Sequence, residues 1–143
     1  MIQNPGAAQS DSYLLQQINS ASPEELCIML LEGAQRFLTQ AISAVKAHNI
    51  QDKAKYVNRV SAIVEELMVQ VETDDQNDLA VNLSRIYEWW MNQLFEASRG
   101  DDAPKMELIY SQMDDMRLTW TQVAHRAQQA PPPSGGLGAE LMG

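Results

Sequence analysis

The residues of this 143-residue chain that could do chemistry are two histidines, one cysteine and a run of acidic side chains. His48 and His125 both lack a glutamate three residues earlier, which is the spacing that paired-metal sites in helical bundles use. Cys27 follows Glu24 and Glu25, whose negative charges oppose ionisation of the thiol. We therefore predict no metal site, no catalytic residue and no cofactor.

The acidic run, "ETDDQND" at positions 72–78, is the remaining candidate for a cation site. It lacks the alternating ligands and the central glycine of a calcium loop. The sequence also has no phosphate-binding glycine loop and no nucleophile elbow. We interpret the run as a solvated connector and predict that the protein is not an enzyme.

The charge balance excludes two classes of partner. The chain has 19 acidic and 10 basic residues and a formal net charge of -9, and its basic residues are scattered singly. A nucleic acid or an anionic membrane surface would be repelled. No apolar run reaches the roughly 18 to 20 residues of a membrane span, and the N-terminus has no signal-peptide pattern. We expect a cytoplasmic protein without membrane insertion.

Periodicity divides the chain into an N-terminal arm at 1–21, a helical region at 22–129 and a tail at 130–143. The proline and glycine content of the tail, "APPPSGGLGAELMG", is typical of disorder. The helical region contains four helical patterns and no pattern that favours a strand. These helices are predicted at about 22–48, 52–71, 77–98 and 101–129.

Capping signals mark the ends of these helices. Ser22, Pro23 and Glu25 combine an N-cap hydroxyl, a proline in the first turn and a capping-box glutamate. Asn49 is predicted to end the first helix in the left-handed conformation, and Gly100 is predicted to close the third. Asn77 or Asp78 is predicted to cap the third helix, and Asp101 or Asp102 the fourth.

Each helix carries an apolar seam with spacings of three and four residues, which is typical of bundle packing. Short connections make sequential helices antiparallel, so the predicted fold is all-α, an up-down four-helix bundle. The seams are Leu26, Leu30, Gly33, Phe37, Ala41 and Ala44; Val57, Val60, Val64, Leu67 and Val71; Leu79, Leu83, Ile86, Tyr87, Trp90 and Leu94; and Met106, Ile109, Met113, Met116, Trp120, Val123 and Ala127.

Gly33 is unusual because glycine inside a helix costs about 1 kcal/mol relative to alanine. Its neighbours on the seam are all apolar, so we interpret it as a place where another element approaches the backbone closely. Trp90 and Trp120 are the predicted occupants.

The first helix has a second apolar stripe of Ile28, Leu31, Leu38, Ile42 and Val45. The third helix likewise places Val81, Trp89, Met91 and Phe95 outside its seam. Periodicity leaves two interpretations open, namely a core stripe that covers half of the helix and an apolar groove for a partner helix.

The arm contains a short apolar cluster, "SYLLQQI", with Tyr13, Leu14, Leu15 and Ile18. A purely disordered arm would be polar, so we expect this cluster to pack on the bundle. It would then either cover the groove in the absence of a partner or form part of it.

Five blocks, in this order and spacing, resemble the FliS family of flagellin export chaperones. They are Tyr13, "SPEELCIMLLEGAQRFLTQA", "VSAIVEEL", "LAVNLSRIYEWW" and "MRLTWTQV", and they extend from Tyr13 to Val123. The resemblance implies a chaperone that binds the disordered C-terminal segment of flagellin, prevents early polymerisation and helps to present flagellin to the export gate protein FlhA.

Together, the resemblance and the second stripes give the predicted partner-binding residues. They are Tyr13, Leu14, Leu31, Leu38, Asn82, Leu83, Ile86, Tyr87, Trp89, Trp90 and Leu94. We expect a monomer or a weak homodimer. The alternative is a structural bundle that self-associates through the same stripes and has no flagellin client.

Overall fold

The structure, a computed structural model, describes residues 5–71 and 77–129. Within these ranges the chain is all-helical and contains no strand, which confirms the predicted class. The helices are α1 (Pro5–Ser20), α2 (Pro23–Lys46), α3 (Ile50–Val71), α4 (Asp78–Arg99) and α5 (Ala103–Gln129). Residues 72–76 of the predicted connector at 72–78 and the predicted tail at 130–143 lie outside the described residues.

The predicted count of four helices is wrong because the arm itself is helical. Leu14 and Ile18 lie one turn apart on α1, but these side chains and those of Tyr13 and Leu15 are exposed. The expectation that this apolar cluster packs on the other helices is therefore also wrong. The side chain of Tyr13 is 69% exposed.

The helix starts follow the predicted caps. The Glu25 N–H donates to Ser22 Oγ over 3.1 Å and the Ser22 N–H donates to Glu25 Oε1 over 3.2 Å, which completes the capping box of α2. Asn77 caps α4 by accepting from the Leu79 N–H. Asp102 accepts from the Lys105 N–H at the start of α5.

The end of α4 agrees with the prediction, because Gly100 is its C-cap, whereas the left-handed residue after α2 comes one residue earlier than predicted. The left-handed residues are His48, with φ 55°, and Asp101, with φ 48°. In each turn the next N–H reaches back to the helix, from Asn49 to the Ala44 carbonyl and from Asp102 to the Ala97 carbonyl, as in a Schellman motif. Asn49 instead accepts from the Asp52 N–H at the start of α3, so its role is that of an N-cap.

Helices α2 to α5 pack in a closed ring. α2 packs against α3 and α5, and α4 packs against the same two helices. The seam between α2 and α3 therefore lies opposite the seam between α4 and α5. These are the neighbour relations that the predicted antiparallel bundle requires.

The core contains most of the predicted seams, but the stripe on α2 is wider than one seam. Leu31 and Leu38, predicted on an exposed partner stripe, are fully buried, and Val45 is nearly so. Leu30 and Phe37, predicted in the core, are only partly buried. For α2 the interpretation as a wide core stripe is thus the correct one, because α2 packs against two neighbouring helices and must present apolar residues to both.

Gly33 is buried, as predicted, but no tryptophan occupies the space beside it. A Cβ atom at this position would lie 3.4 Å from Cδ1 of Ile63 on α3 and 3.7 Å from Nη2 of Arg36. These are ordinary contact distances, so one methyl group fits whereas a longer side chain meets Ile63.

We expect Gly33→Ala to raise the free energy of unfolding by about 0.5 to 1 kcal/mol, because alanine favours the helix and its methyl group is accommodated. Gly33→Leu should instead lower it by about 1 to 3 kcal/mol through overpacking against Ile63. Urea denaturation of the two variants checks both signs. A higher midpoint for the leucine variant would contradict the close approach of α3.

Candidate functional site

An apolar groove with a volume of about 610 Å³ lies between α4 and α5. The side chains of Ile86, Trp89 and Trp90 from α4 face those of Met116 and Trp120 from α5 across it. The remaining lining residues are Leu83, Arg85, Gln112, Asp115 and Thr119. All three tryptophans of the chain line this groove.

Trp90 forms the floor of the groove and is almost completely buried. Its indole N–H donates to Gln112 Oε1 of α5 over 2.9 Å. A buried tryptophan needs a partner for this donor, and here the partner comes from the opposite wall. The bond therefore links the two helices at the base of the groove.

The rim carries the exposed apolar surface. Ile86 is 38% exposed and Trp89 is 40% exposed. Arg85 and Asp115 add one positive and one negative charge to the lining. An apolar groove between two helices, with few charges at its edge, is suited to the apolar face of an amphipathic helix.

Tyr87 lies behind the groove and packs against Trp90, with ring centroids 5.6 Å apart. Its hydroxyl is buried and has no hydrogen-bond partner among the described residues. Burial, followed by the nearby Cys27 thiol, raises the pKa of Tyr87 well above its ordinary value. Burial and then Glu24 raise the pKa of Cys27 in turn, so the neutral thiol is favoured.

Replacing Tyr87 with phenylalanine is expected to raise the free energy of unfolding by about 1 kcal/mol at neutral pH, because an unpaired buried hydroxyl is removed. Above pH of about 10 the difference should grow. The unfolded tyrosine ionises there before the folded one does, so the parent protein loses stability as pH rises, and the variant lacks this loss. Urea midpoints at pH 7 and pH 10.5 test this, and a less stable variant at both pH values would contradict it.

The structure brings four of the predicted partner-binding residues together in the groove, namely Leu83, Ile86, Trp89 and Trp90. The others lie elsewhere. Leu31, Leu38 and Leu94 are in the core, Tyr87 is buried behind Trp90, Asn82 is exposed outside the lining, and Tyr13 and Leu14 are exposed on α1. Their role in partner binding stays a prediction.

Sequence reasoning missed the wall that α5 contributes. Met116 and Trp120 were placed in the core seam, yet both are only partly buried and line the groove. Gln112, Asp115 and Thr119 were not singled out. The available signal was the spacing of Gln112, Met116 and Thr119, which places polar and apolar side chains on one edge of the helix.

Among residues 5–71 and 77–129, no group of three or more histidine, cysteine, aspartate or glutamate side chains could hold a metal ion. None of the helices in these ranges combines the length and the apolar character of a membrane span.

Comparison with known proteins gives one family. The profile of the family described as "Flagellar protein FliS" matches residues 5–127. This range includes the whole of α1, α2, α3 and α4 and all but the last two residues of α5.

Three relatives illustrate the similarity. A protein named flagellar secretion chaperone FliS from Vibrio cholerae is 26% identical over 75% of this chain and 79% of its own length. The flagellar secretion chaperone FliSB of Pseudomonas aeruginosa is 25% identical, over 76% of this chain and 86% of the relative. The flagellar secretion chaperone FliS of Bacillus subtilis is 24% identical, over 95% of this chain and 98% of the relative.

Proposed function

The chain belongs to the FliS family, and from this membership and the α4–α5 groove we propose that it is a cytoplasmic, non-enzymatic export chaperone for flagellin. The groove binds the C-terminal segment of flagellin and keeps flagellin from polymerising early. The complex is then presented to the export gate protein FlhA. The supporting observation is the exposed apolar lining around Ile86 and Trp89.

Apolar burial provides the driving force for this binding. A disordered segment that folds as an amphipathic helix places its apolar side chains at helical spacing against the tryptophans of the groove. Ordering that segment costs free energy, which limits the affinity per unit of buried area. A segment held in this way cannot use the same apolar face to assemble with other flagellin subunits.

We further propose that α2 to α5 form an antiparallel four-helix bundle that holds the groove rigid. The Trp90–Gln112 bond joins its two walls. Lys53 of α3 donates to the Ser98 carbonyl over 2.8 Å and to Asp101 Oδ1 over 2.7 Å. These two bonds fix the turn between α4 and α5. On binding, the flagellin segment then becomes ordered while the groove changes little.

The three tryptophans provide a direct assay. Flagellin should shift the tryptophan emission when it enters the groove, whereas flagellin without its C-terminal segment should leave the emission unchanged. Equal binding of the two forms would contradict the proposed client segment. A tight dimer in which the groove is buried, with no response to flagellin, would favour the self-associating structural bundle.

We propose that α1 forms part of the client surface instead of covering it, because the side chains of its apolar cluster, Tyr13, Leu14, Leu15 and Ile18, are exposed. Its last turn lies near the C-terminal turns of α5, where Gln17, Ser20 and Ala124 line one pocket. Ala124 is one turn beyond Trp120 of the groove. The end of α1 thus lies beside α2 and α5, one turn beyond the groove, and we propose that the client segment reaches the apolar side chains of α1 from there.

Deleting residues 1–20 is expected to speed dissociation of a flagellin C-terminal peptide by about three- to tenfold, because α1 contacts are lost and interface changes act mainly on dissociation. Stopped-flow tryptophan fluorescence measures both rates. A covering role predicts faster association instead. Faster association with an unchanged dissociation rate would therefore contradict our proposal.

A further inference from the structure

Cationic and aromatic side chains form a stripe along the seam between α2 and α3. Phe37 of α2 and Tyr56 of α3 stack with centroids 6.2 Å apart and an interplanar angle of 25°. Cζ of Arg59 lies 5.3 Å from the centroid of Phe37, and Nζ of Lys55 lies 5.1 Å from that of Tyr56. Such distances are typical of cation–π contacts. We call these residues, together with Arg36, the cationic stripe.

Arg36 extends the stripe over Gly33. Its Nη2 atom lies 3.7 Å from the position of a Cβ atom at Gly33, and Cδ1 of Ile63 lies 3.4 Å from the same point. The guanidinium group and Ile63 thus both lie next to the space that a side chain at Gly33 would occupy. Three cations therefore follow one another along the two helices.

None of the three cations of the stripe forms an ion pair with a carboxylate among the described residues, although Arg36 lines a pocket that also contains Glu32 and Asp114. The ion pairs in the described ranges use Lys46, Lys53, Lys105 and Arg117. None of them uses Arg36, Lys55 or Arg59, although acidic residues outnumber basic ones by 19 to 10. Cations that rest on aromatic and apolar groups keep their N–H donors available at the surface.

We propose that the cationic stripe docks an acidic segment of a partner protein. The flat guanidinium group of Arg59 presents a fork of donors that matches a carboxylate, and Arg36 and Lys55 provide positive charge on either side. The exposed edges of Phe37 and Ile63 can contact an apolar side chain of the same segment. A nucleic acid fits less well, because the protein as a whole is strongly negative.

The cationic stripe lies on a different face of the protein from the proposed flagellin groove. The α2–α3 seam lies opposite the α4–α5 groove in the ring of helices. Both faces can therefore be occupied at once, one by an apolar segment and the other by an acidic one. Binding at the stripe is measured without any flagellin, so its failure is distinct from failure of the proposed client site.

The probe is a fluorescently labelled synthetic peptide in which aspartate and glutamate surround two leucines. The stripe spans about 10 Å between Tyr56 and Ile63 at the helical rise, so a peptide of about ten residues reaches all of it. The control peptide has asparagine and glutamine in place of the acids. Fluorescence anisotropy of the full chain at low salt should show binding of the acidic peptide only, and equal binding of the control peptide would overturn the proposal.

The double variant Arg36→Gln with Arg59→Gln should weaken peptide binding by about tenfold or more. The matched variant Arg99→Gln with Arg126→Gln removes the same charge from the last turns of α4 and α5 and should change affinity less than about twofold. Arg59→Lys keeps the charge and the fold but loses the planar fork, so we expect about threefold weaker binding.

Three other results would overturn the proposal. Equal weakening in the two double variants would show unspecific attraction. A labelled DNA duplex that binds through Arg36 and Arg59 more tightly than the peptide would identify a nucleic-acid site. Displacement of the acidic peptide by a flagellin C-terminal peptide would place it in the α4–α5 groove.

Discussion

Replacing Trp89 with alanine is expected to weaken binding of the flagellin C-terminal segment by about thirtyfold or more. Truncating a large aromatic side chain that becomes buried in an apolar interface typically costs about 2 to 4 kcal/mol of binding free energy. Trp89 lines the groove and is 40% exposed in the free protein, so a helix seated there would cover the rest of the ring. The cost of the substitution to folding should be small, because the side chain is only partly buried.

Phe95→Ala is the matched control for this experiment. Phe95 is another large aromatic residue on α4, it is 46% exposed, and it does not line the groove. Isothermal titration of both variants with one flagellin C-terminal peptide separates the groove from general apolar attraction. Similar losses for both variants, or an unchanged affinity for Trp89→Ala, would contradict the assignment of the client site.

Helix starts could be predicted because they depend on capping hydrogen bonds between residues of a single turn. Ser22, Pro23 and Glu25 define the start of α2 through bonds within one turn, and the structure contains both bonds of that capping box. The left-handed residues in the turns after α2 and α4 are harder to predict from the sequence. His48 and Asp101 adopt the left-handed conformation although asparagine and glycine stand beside them. Histidine and aspartate tolerate this conformation as asparagine does, and glycine favours it most, so sequence preference alone does not single out His48 and Asp101.

The face of α2 could not be predicted because two apolar stripes compete on it. Leu31 and Leu38 repeat at seven residues, and so do Leu30 and Phe37, so periodicity favours both pairs equally. The choice depends on the neighbours, and α2 packs against both α3 and α5. Tertiary packing therefore decides which stripe is fully buried.

The candidate site was predicted on one wall only. The block around Ile86, Trp89 and Trp90 carried the resemblance and lies in the groove. The wall from α5 mixes polar and apolar residues, and Met116 and Trp120 read as core because their spacing fits the seam. The groove forms where the apolar seams of α4 and α5 move apart. This separation depends on how the two helices pack together, so the sequence of neither helix shows it alone.

Replacing Leu38 with alanine is expected to lower the free energy of unfolding by about 2 to 5 kcal/mol, because Leu38 is fully buried and its removal leaves a cavity. Leu118→Ala is the matched control, since Leu118 is 46% exposed on α5 and should cost less than about 0.5 kcal/mol. Urea denaturation measures both. Sequence placed Leu38 at the partner surface, which predicts a different result, namely weaker flagellin binding with little loss of stability. Titration of the folded Leu38→Ala protein with the flagellin peptide therefore separates a role in the core from a role in partner binding. If Leu38 is a core residue, the variant binds the peptide with the same affinity as the parent protein.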